Sequence, residues 1–184
     1  VNPTTAWLTL FSLLGYAVIY TLFLKRATPQ NITIGGLAGA MPPLLGWTAM
    51  TGQVDANALL LVLIIFAWTP PHFWALALHR KEDYAKADIP MLPVTHGNHY
   101  THIHIVLYSL LLFAATLLPF VSGMNGPLYL LGVLILNARQ FWMVKQLFDV
   151  SQTHAPYQLF KYSILYLFYL FLLILTDHYL YATL

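Results

Sequence analysis

Cysteine is absent from the 184-residue chain, which excludes disulfides, thiolate metal sites and cysteine nucleophiles and leaves the redox compartment unreadable. Charge is nearly as scarce. Only 8% of residues are Asp, Glu, Lys or Arg, against 59% hydrophobic, and mean hydropathy is +0.69. A soluble domain carries roughly 25% charged residues, so this composition cannot clothe a water-soluble surface. Apolar stretches fill nearly the whole chain and leave no room for a separate soluble module, and neither a low-complexity tract nor a repeat of 20–50 residues interrupts them. The opening Val1-Asn2-Pro3 has neither a start Met nor a basic n-region, so no signal peptide is visible and the sequence is expected to begin within a longer protein.

What is present is length in the apolar runs. A bilayer core of about 30 Å needs roughly 20 mostly apolar residues in helical form. Six runs meet that need, at about 4–24, 31–50, 57–78, 102–122, 127–144 and 159–176. They are Leu-rich without period-two alternation, which argues against a barrel and for an all-α polytopic transmembrane bundle.

Six crossings place alternate loops on opposite sides, and the basic residues agree with that count. Lys25, Arg26, Arg80, Lys81, Lys86, Arg139, Lys145 and Lys161 all fall on one side, which the positive-inside rule assigns to the cytoplasm, with both termini outside. Arg139 sits deep enough to suggest that the fifth helix is short, tilted or displaced toward Pro119. Aromatic rings near the run ends, among them Tyr20, Trp142, Tyr179 and Tyr181, suit the headgroup level. In the second run, Gly35, Gly36, Gly39, Pro42, Pro43 and Gly46 would weaken a solitary helix; they allow either neighbouring backbones or a ligand to come close.

The loop 79–93 holds Glu82, Asp83 and Asp88, three of the six acids. Asp83 and Asp88, about 140° apart in helical projection, would not align on a straight helix; Pro90 is expected to end the helix and turn Asp88 inward. Carboxylates are hard oxygen ligands suited to Mg²⁺, which is commonly held by one or two of them plus substrate phosphates. Arg80, Lys81, Lys25 and Arg26 could neutralise a departing diphosphate. The plainer reading is a solvated loop that sets topology. His96, His99, His102 and His104 form either a metal site or an interfacial cluster, with only His99 and His102 at i, i+3 spacing. His72, after Pro70-Pro71 and beside an expected kink, is an intramembrane ionisable residue, either a packed histidine or a contact to haem or another substrate.

Two stretches carry a resemblance. Residues 20–36, including Lys25, Arg26, Asn31 and Gly35-Gly36, continue to Gly39, Pro42-Pro43 and Gly46; the second stretch runs from Pro71-His72 through Asp83-Tyr84 to Ile89, Pro90, Met91, Leu92 and Pro93. Together they resemble the protohaem IX farnesyltransferases, or haem O synthases, a family of UbiA-type intramembrane prenyltransferases. The likeness is close over about residues 10–100 and general in the last three helices. It implies a nine-helix bundle with a central cavity and two aspartate motifs on cytoplasmic loops, bridged by Mg²⁺ to farnesyl diphosphate. Asp83 falls in the second motif, and Asp88 where the family also takes other small residues. The first motif and three helices are not found here, so residues 1–184 are expected to be the C-terminal part of such a domain. The histidine cluster is not part of the family pattern.

The activity implied is transfer of farnesyl to a haem B vinyl group with addition of water, giving haem O for terminal oxidase biogenesis in a bacterial inner membrane. Asp83 and Asp88 would hold Mg²⁺; Lys25, Arg26, Arg80 and Lys81 would contact diphosphate; Asn31 and His72 would line the cavity. Membrane lipid surrounds the bundle, and terminal oxidase or haem A synthesis machinery are the implied protein partners; nucleic acid is not one. The alternatives are a UbiA-type enzyme acting on an aromatic quinone precursor and a haem carrier without chemistry.

Overall fold

The computed structural model describes residues 2–149 and 151–181, with Tyr181 described by its backbone alone. The chain ends, assigned by charge to the outer side, therefore fall outside the described residues, as does the Tyr181 side chain. Every regular element among the described residues is helical. They are α1 (Pro3–Ala27), α2 (Asn31–Gly39), α3 (Pro42–Thr51), α4 (Ala56–His79), α5 (Lys81–Lys86), α6 (Leu92–Thr95), α7 (Gly97–Val121), α8 (Pro127–Gln146) and α9 (Ala155–Tyr181). Five of them, α1, α4, α7, α8 and α9, are long and apolar enough to cross a membrane unbroken.

The expected helix at 31–50 is the exception. It is split at Ala40-Met41 into α2 and α3, because Pro42 and Pro43 have no N–H to continue the ladder and instead occupy the first turn of a new helix. The second proline pair behaves differently. α4 runs through Pro70-Pro71 as one helix, as the 57–78 run requires; inside a packed membrane helix, neighbours can satisfy freed backbone groups. The last three helices are longer than the apolar runs alone suggest, with α7 beginning at Gly97 rather than near 102 and so taking in His99 beside His102 and His104. α1 widens between Gly15 and Leu24, where bonds span five residues, as from the Lys25 N–H to the Tyr20 carbonyl.

α4, α7, α8 and α9 pack around Leu61, Ile64, Leu112, Val133, Tyr166 and Leu170 at one level, and Trp74, Ile105, Val144 and Leu159 at another. In lipid there is little hydrophobic drive between helices, so close packing and interhelical hydrogen bonds carry the association. Buried Asn137 donates to Thr116 Oγ1 at 3.1 Å and accepts from the Tyr166 hydroxyl at 3.1 Å, linking α8 to α7 and α9. On the other side of α4, Ala40 at the α2–α3 junction and Leu44 of α3 pack against Ala58 and Val62, with Leu8 of α1 alongside. Gly35 is required where α2 meets α1, since a Cβ there would fall inside the Tyr20 ring, whereas a Cβ at Gly39 would meet nothing within 4 Å. The two readings of the glycines therefore divide by position: Gly35 serves packing and Gly39 borders open space.

Arg139 is accommodated without shortening α8. Its guanidinium lies 5.3 Å from the centre of the Tyr162 ring, a cation–π contact that keeps the charge beside a polarisable face.

Candidate active site at the basic end of the bundle

The connections that carry the expected site residues meet at one end of the bundle. Tyr84 and Ile89 of the 80–92 connection pack with Ile32 and Met91, bringing that loop against the start of α2 and hence beside the Lys25-Arg26 turn. Lys81 Nζ donates to Asn98 Oδ1 at 3.0 Å, tying the same loop to the start of α7. Lys25 and Arg26 are exposed in the last turn of α1. Arg80 and Asp83 face each other at 3.8 Å with side chains 61% and 67% exposed, a pair worth about 0–1 kcal/mol and free to rearrange around a ligand.

Asp88 occupies a specific backbone position. α5 ends with Asp88 at φ 53, the Asp88 N–H bonding to the Ala85 carbonyl at 3.2 Å and the Ile89 N–H to the Tyr84 carbonyl at 3.1 Å. This is a Schellman closure, and Tyr84 and Ile89 on either side of it both pack against the cluster of Ile32, Ala77 and Met91. The helix thus stops at Lys86, several residues before Pro90, and the expected cause of its end is corrected: the left-handed residue, rather than the proline, turns the chain. Asp88 itself is exposed.

Asn31 is fully buried, its Nδ2 donating to the Thr28 carbonyl at 2.8 Å and the Lys25 carbonyl at 3.4 Å, which fixes the turn that presents Lys25 and Arg26. Its Oδ1 is sealed and has no partner.

Below this rim runs a wall of stacked rings along α4 and α9. Trp68 stacks on His72 at 4.2 Å, His72 on Phe160 at 4.7 Å, Phe160 on Tyr157 at 6.3 Å, and Tyr157 on His79 at 4.7 Å, one residue before Arg80. Parallel and offset ring contacts at these distances are favourable beyond their area. His72 is 8% exposed, and its Nδ1 lies 2.7 Å from Ser163 Oγ. The Ser163 hydroxyl is 2.6 Å from the Phe160 carbonyl, and two oxygens approach that closely only with a hydrogen between them. The single hydroxyl hydrogen is thereby used, so Nδ1 must be the protonated nitrogen and the neutral ring keeps a lone pair on Nε2. Trp68 Nε1 donates to the Ser163 carbonyl at 2.8 Å, so one residue of α9 orients both rings.

Two cavities adjoin the wall at Trp68, and a third lies apart from it. One of about 340 Å³ lies between α1, α2 and α4, lined by Tyr16, Tyr20, Gly36, Gly39, Trp68 and Phe73. Trp68 separates it from one of about 370 Å³ along α9 beside Leu167, Phe168 and Phe171. The third, about 320 Å³ and almost wholly apolar, runs between α1 and α2 past Phe11, Ile19, Ile34 and Leu37 to Leu24, next to Lys25.

The four histidines fall into two pairs, each sharing one aromatic ring. His99 and His102 pack edge-on to Phe148, His96 stacks on Tyr100, and His104 Nδ1 pairs with the Tyr100 carbonyl at 2.9 Å. Among the described residues no group of three or more His, Asp or Glu side chains could hold a metal ion. Glu82, Asp83 and Asp88 supply the right donor type for a hard cation shared with a ligand's phosphates, without forming a closed cage of their own.

Two polar residues escaped the reading of the sequence. Ser163 meets His72 across 91 positions, a pairing that no local pattern encodes. Asp177, 1% exposed, accepts from the backbone N–H groups of Gly126 and Tyr129 and from Asn125 Nδ2, capping α8 from the end of α9. An ionisable residue in so apolar a run was itself the available signal.

A model of the UbiA prenyltransferase family matches residues 1–175. Among curated relatives, a protein named protoheme IX farnesyltransferase from Ectopseudomonas mendocina (strain ymp) is 68% identical over 97% of this chain and 60% of its own length. The identically named protein of Marinobacter nauticus (strain ATCC 700491 / DSM 11845 / VT8) is 66% identical over 99% of this chain and 60% of its own, and that of Hahella chejuensis (strain KCTC 2396) is 64% identical over 100% and 62%. The chain thus spans about 60% of the length of these relatives. No solved structure matches it. The family model covers nearly the whole chain, and this chain belongs to the UbiA prenyltransferase family.

Proposed function

We propose that the complete protein of which this chain is part transfers the farnesyl group of farnesyl diphosphate to a vinyl group of haem B, with addition of water, to give haem O. The observation that carries the reading is the aromatic wall from Trp68 to His79, which ends beside the Arg80, Lys81 and Asp83 rim. A flat macrocycle suits the wall and a diphosphate suits the rim. The apolar cavity that reaches Leu24 beside Lys25 suits the isoprenoid chain. The names of the relatives point the same way.

In this reading Lys25, Arg26, Arg80 and Lys81 bind the diphosphate and balance the charge that builds as the C1–O bond breaks. Asp83, with Asp88, would hold Mg²⁺, which supplies further neutralisation of the leaving group. The vinyl carbon forms a bond to C1, the resulting cation on the macrocycle substituent takes up water, and a proton is lost. His72 presents its Nε2 lone pair toward the acceptor, with Ser163 fixing the tautomer. Asn31 holds the Lys25-Arg26 turn at the cavity margin. The low dielectric of the bundle strengthens these charge contacts and restricts water that would quench the allylic cation early. The protein works in the bacterial inner membrane with its basic loops cytoplasmic, and its product passes to terminal oxidase assembly or haem A synthesis.

The test is expression of the full reading frame in a host without haem O synthesis, with mass analysis of extracted haems. A gain of farnesyl plus water on haem B is expected. Unchanged haem together with a prenylated aromatic acid would move the assignment to a quinone precursor.

A further inference from the structure

Lys161 lies on α9, four residues after Tyr157, with its Nζ 4.8 Å from the centre of the Tyr157 ring. Tyr157 is also the ring that joins the wall to His79. The side chain is exposed, and among the described residues the one ion pair is Arg80 with Asp83, so no carboxylate neutralises this ammonium. A lysine set about one and a half turns inside an apolar helix is costly to keep there, and its long stem lets the charge reach the polar end. Lys161 flanks the aromatic wall from the α9 side, on the ring that stacks on His79.

We infer that Lys161 is a specificity-determining residue that pairs with a carboxylate of the planar acceptor and sets its orientation on the wall. This rests on the haem B reading above, since haem B carries two propionates on one edge. With the propionate edge at Lys161, the macrocycle approaches the exposed edge of the Tyr157 ring, and its opposite edge reaches toward Trp68 and the cavities beside it. The cation–π contact with Tyr157 holds the ammonium in place before the acceptor arrives.

The experiment compares haem B with its dimethyl ester as acceptors for the full-length protein, wild type against Lys161→Gln and Lys161→Arg. A charge-assisted hydrogen bond is lost with either the ester or the glutamine, so the wild-type preference for the free acid in kcat/KM should fall about tenfold in Lys161→Gln and persist in Lys161→Arg. An unchanged preference in Lys161→Gln, or equal loss on both acceptors, overturns the inference, because a merely structural lysine would move the two together. A wild-type enzyme that makes no haem O from either acceptor overturns the underlying reading instead.

Discussion

His72 Nδ1 and Ser163 Oγ are 2.7 Å apart, and the serine hydrogen is committed to the Phe160 carbonyl. The buried imidazole of the aromatic wall is thus held as the Nδ1–H tautomer by a residue 91 positions away.

Ser163→Ala should free that ring while leaving the bundle intact. Partners that orient a functional histidine are typically worth about 10–100-fold in activity, and kcat/KM for haem O formation is expected to fall within that range. The midpoint of thermal unfolding should move little. Activity equal to wild type would leave the tautomer without a role.

Asp83→Asn removes one charge from an exposed pair. Because the Arg80–Asp83 contact contributes about 0–1 kcal/mol, stability should be preserved while turnover is lost. Full turnover at saturating Mg²⁺ would take Asp83 out of the mechanism.

At Asp88 the backbone and the carboxylate can be separated. Asp88→Gly keeps the left-handed turn and is expected to lower turnover without lowering stability. Asp88→Val costs about 1–2 kcal/mol in backbone strain as well. A fully active glycine variant would reduce Asp88 to a turn former.

Asp177→Ala leaves the Gly126 and Tyr129 N–H groups without their acceptor at the start of α8. A loss of roughly 1–3 kcal/mol is expected, read as a lowered midpoint of unfolding in lipid or detergent. The kcat of the protein that remains folded should be unchanged, since the cap lies at the far end of α8 from the Lys81–Asn98 rim. A normal midpoint would contradict the capping role.

Run length and charge distribution made the all-helical bundle legible in the sequence, since a membrane permits few alternatives to helices of that length. Proline was less informative. Pro42-Pro43 starts a new helix while Pro70-Pro71 lies inside a continuous one, and the difference comes from the packing around them rather than from the dipeptide. The rim residues Lys25, Arg26, Arg80, Lys81 and Asp83 could be gathered from their loops, but the proximity of those loops depends on Tyr84 and Ile89 meeting Ile32. Ser163 was silent because it acts through a partner in a distant helix, whereas Asp177 stood out as an acid in an apolar run without revealing which helix end it caps.

The most direct measurement of the central claim is a reaction of purified full-length protein in lipid with haem B, Mg²⁺ and farnesyl diphosphate labelled at C1, followed by mass analysis of the haem. The account predicts a macrocycle that retains the C1 label and has gained one farnesyl and one water. Haem B bound by the protein but returned unchanged would contradict it and leave a carrier in place of an enzyme.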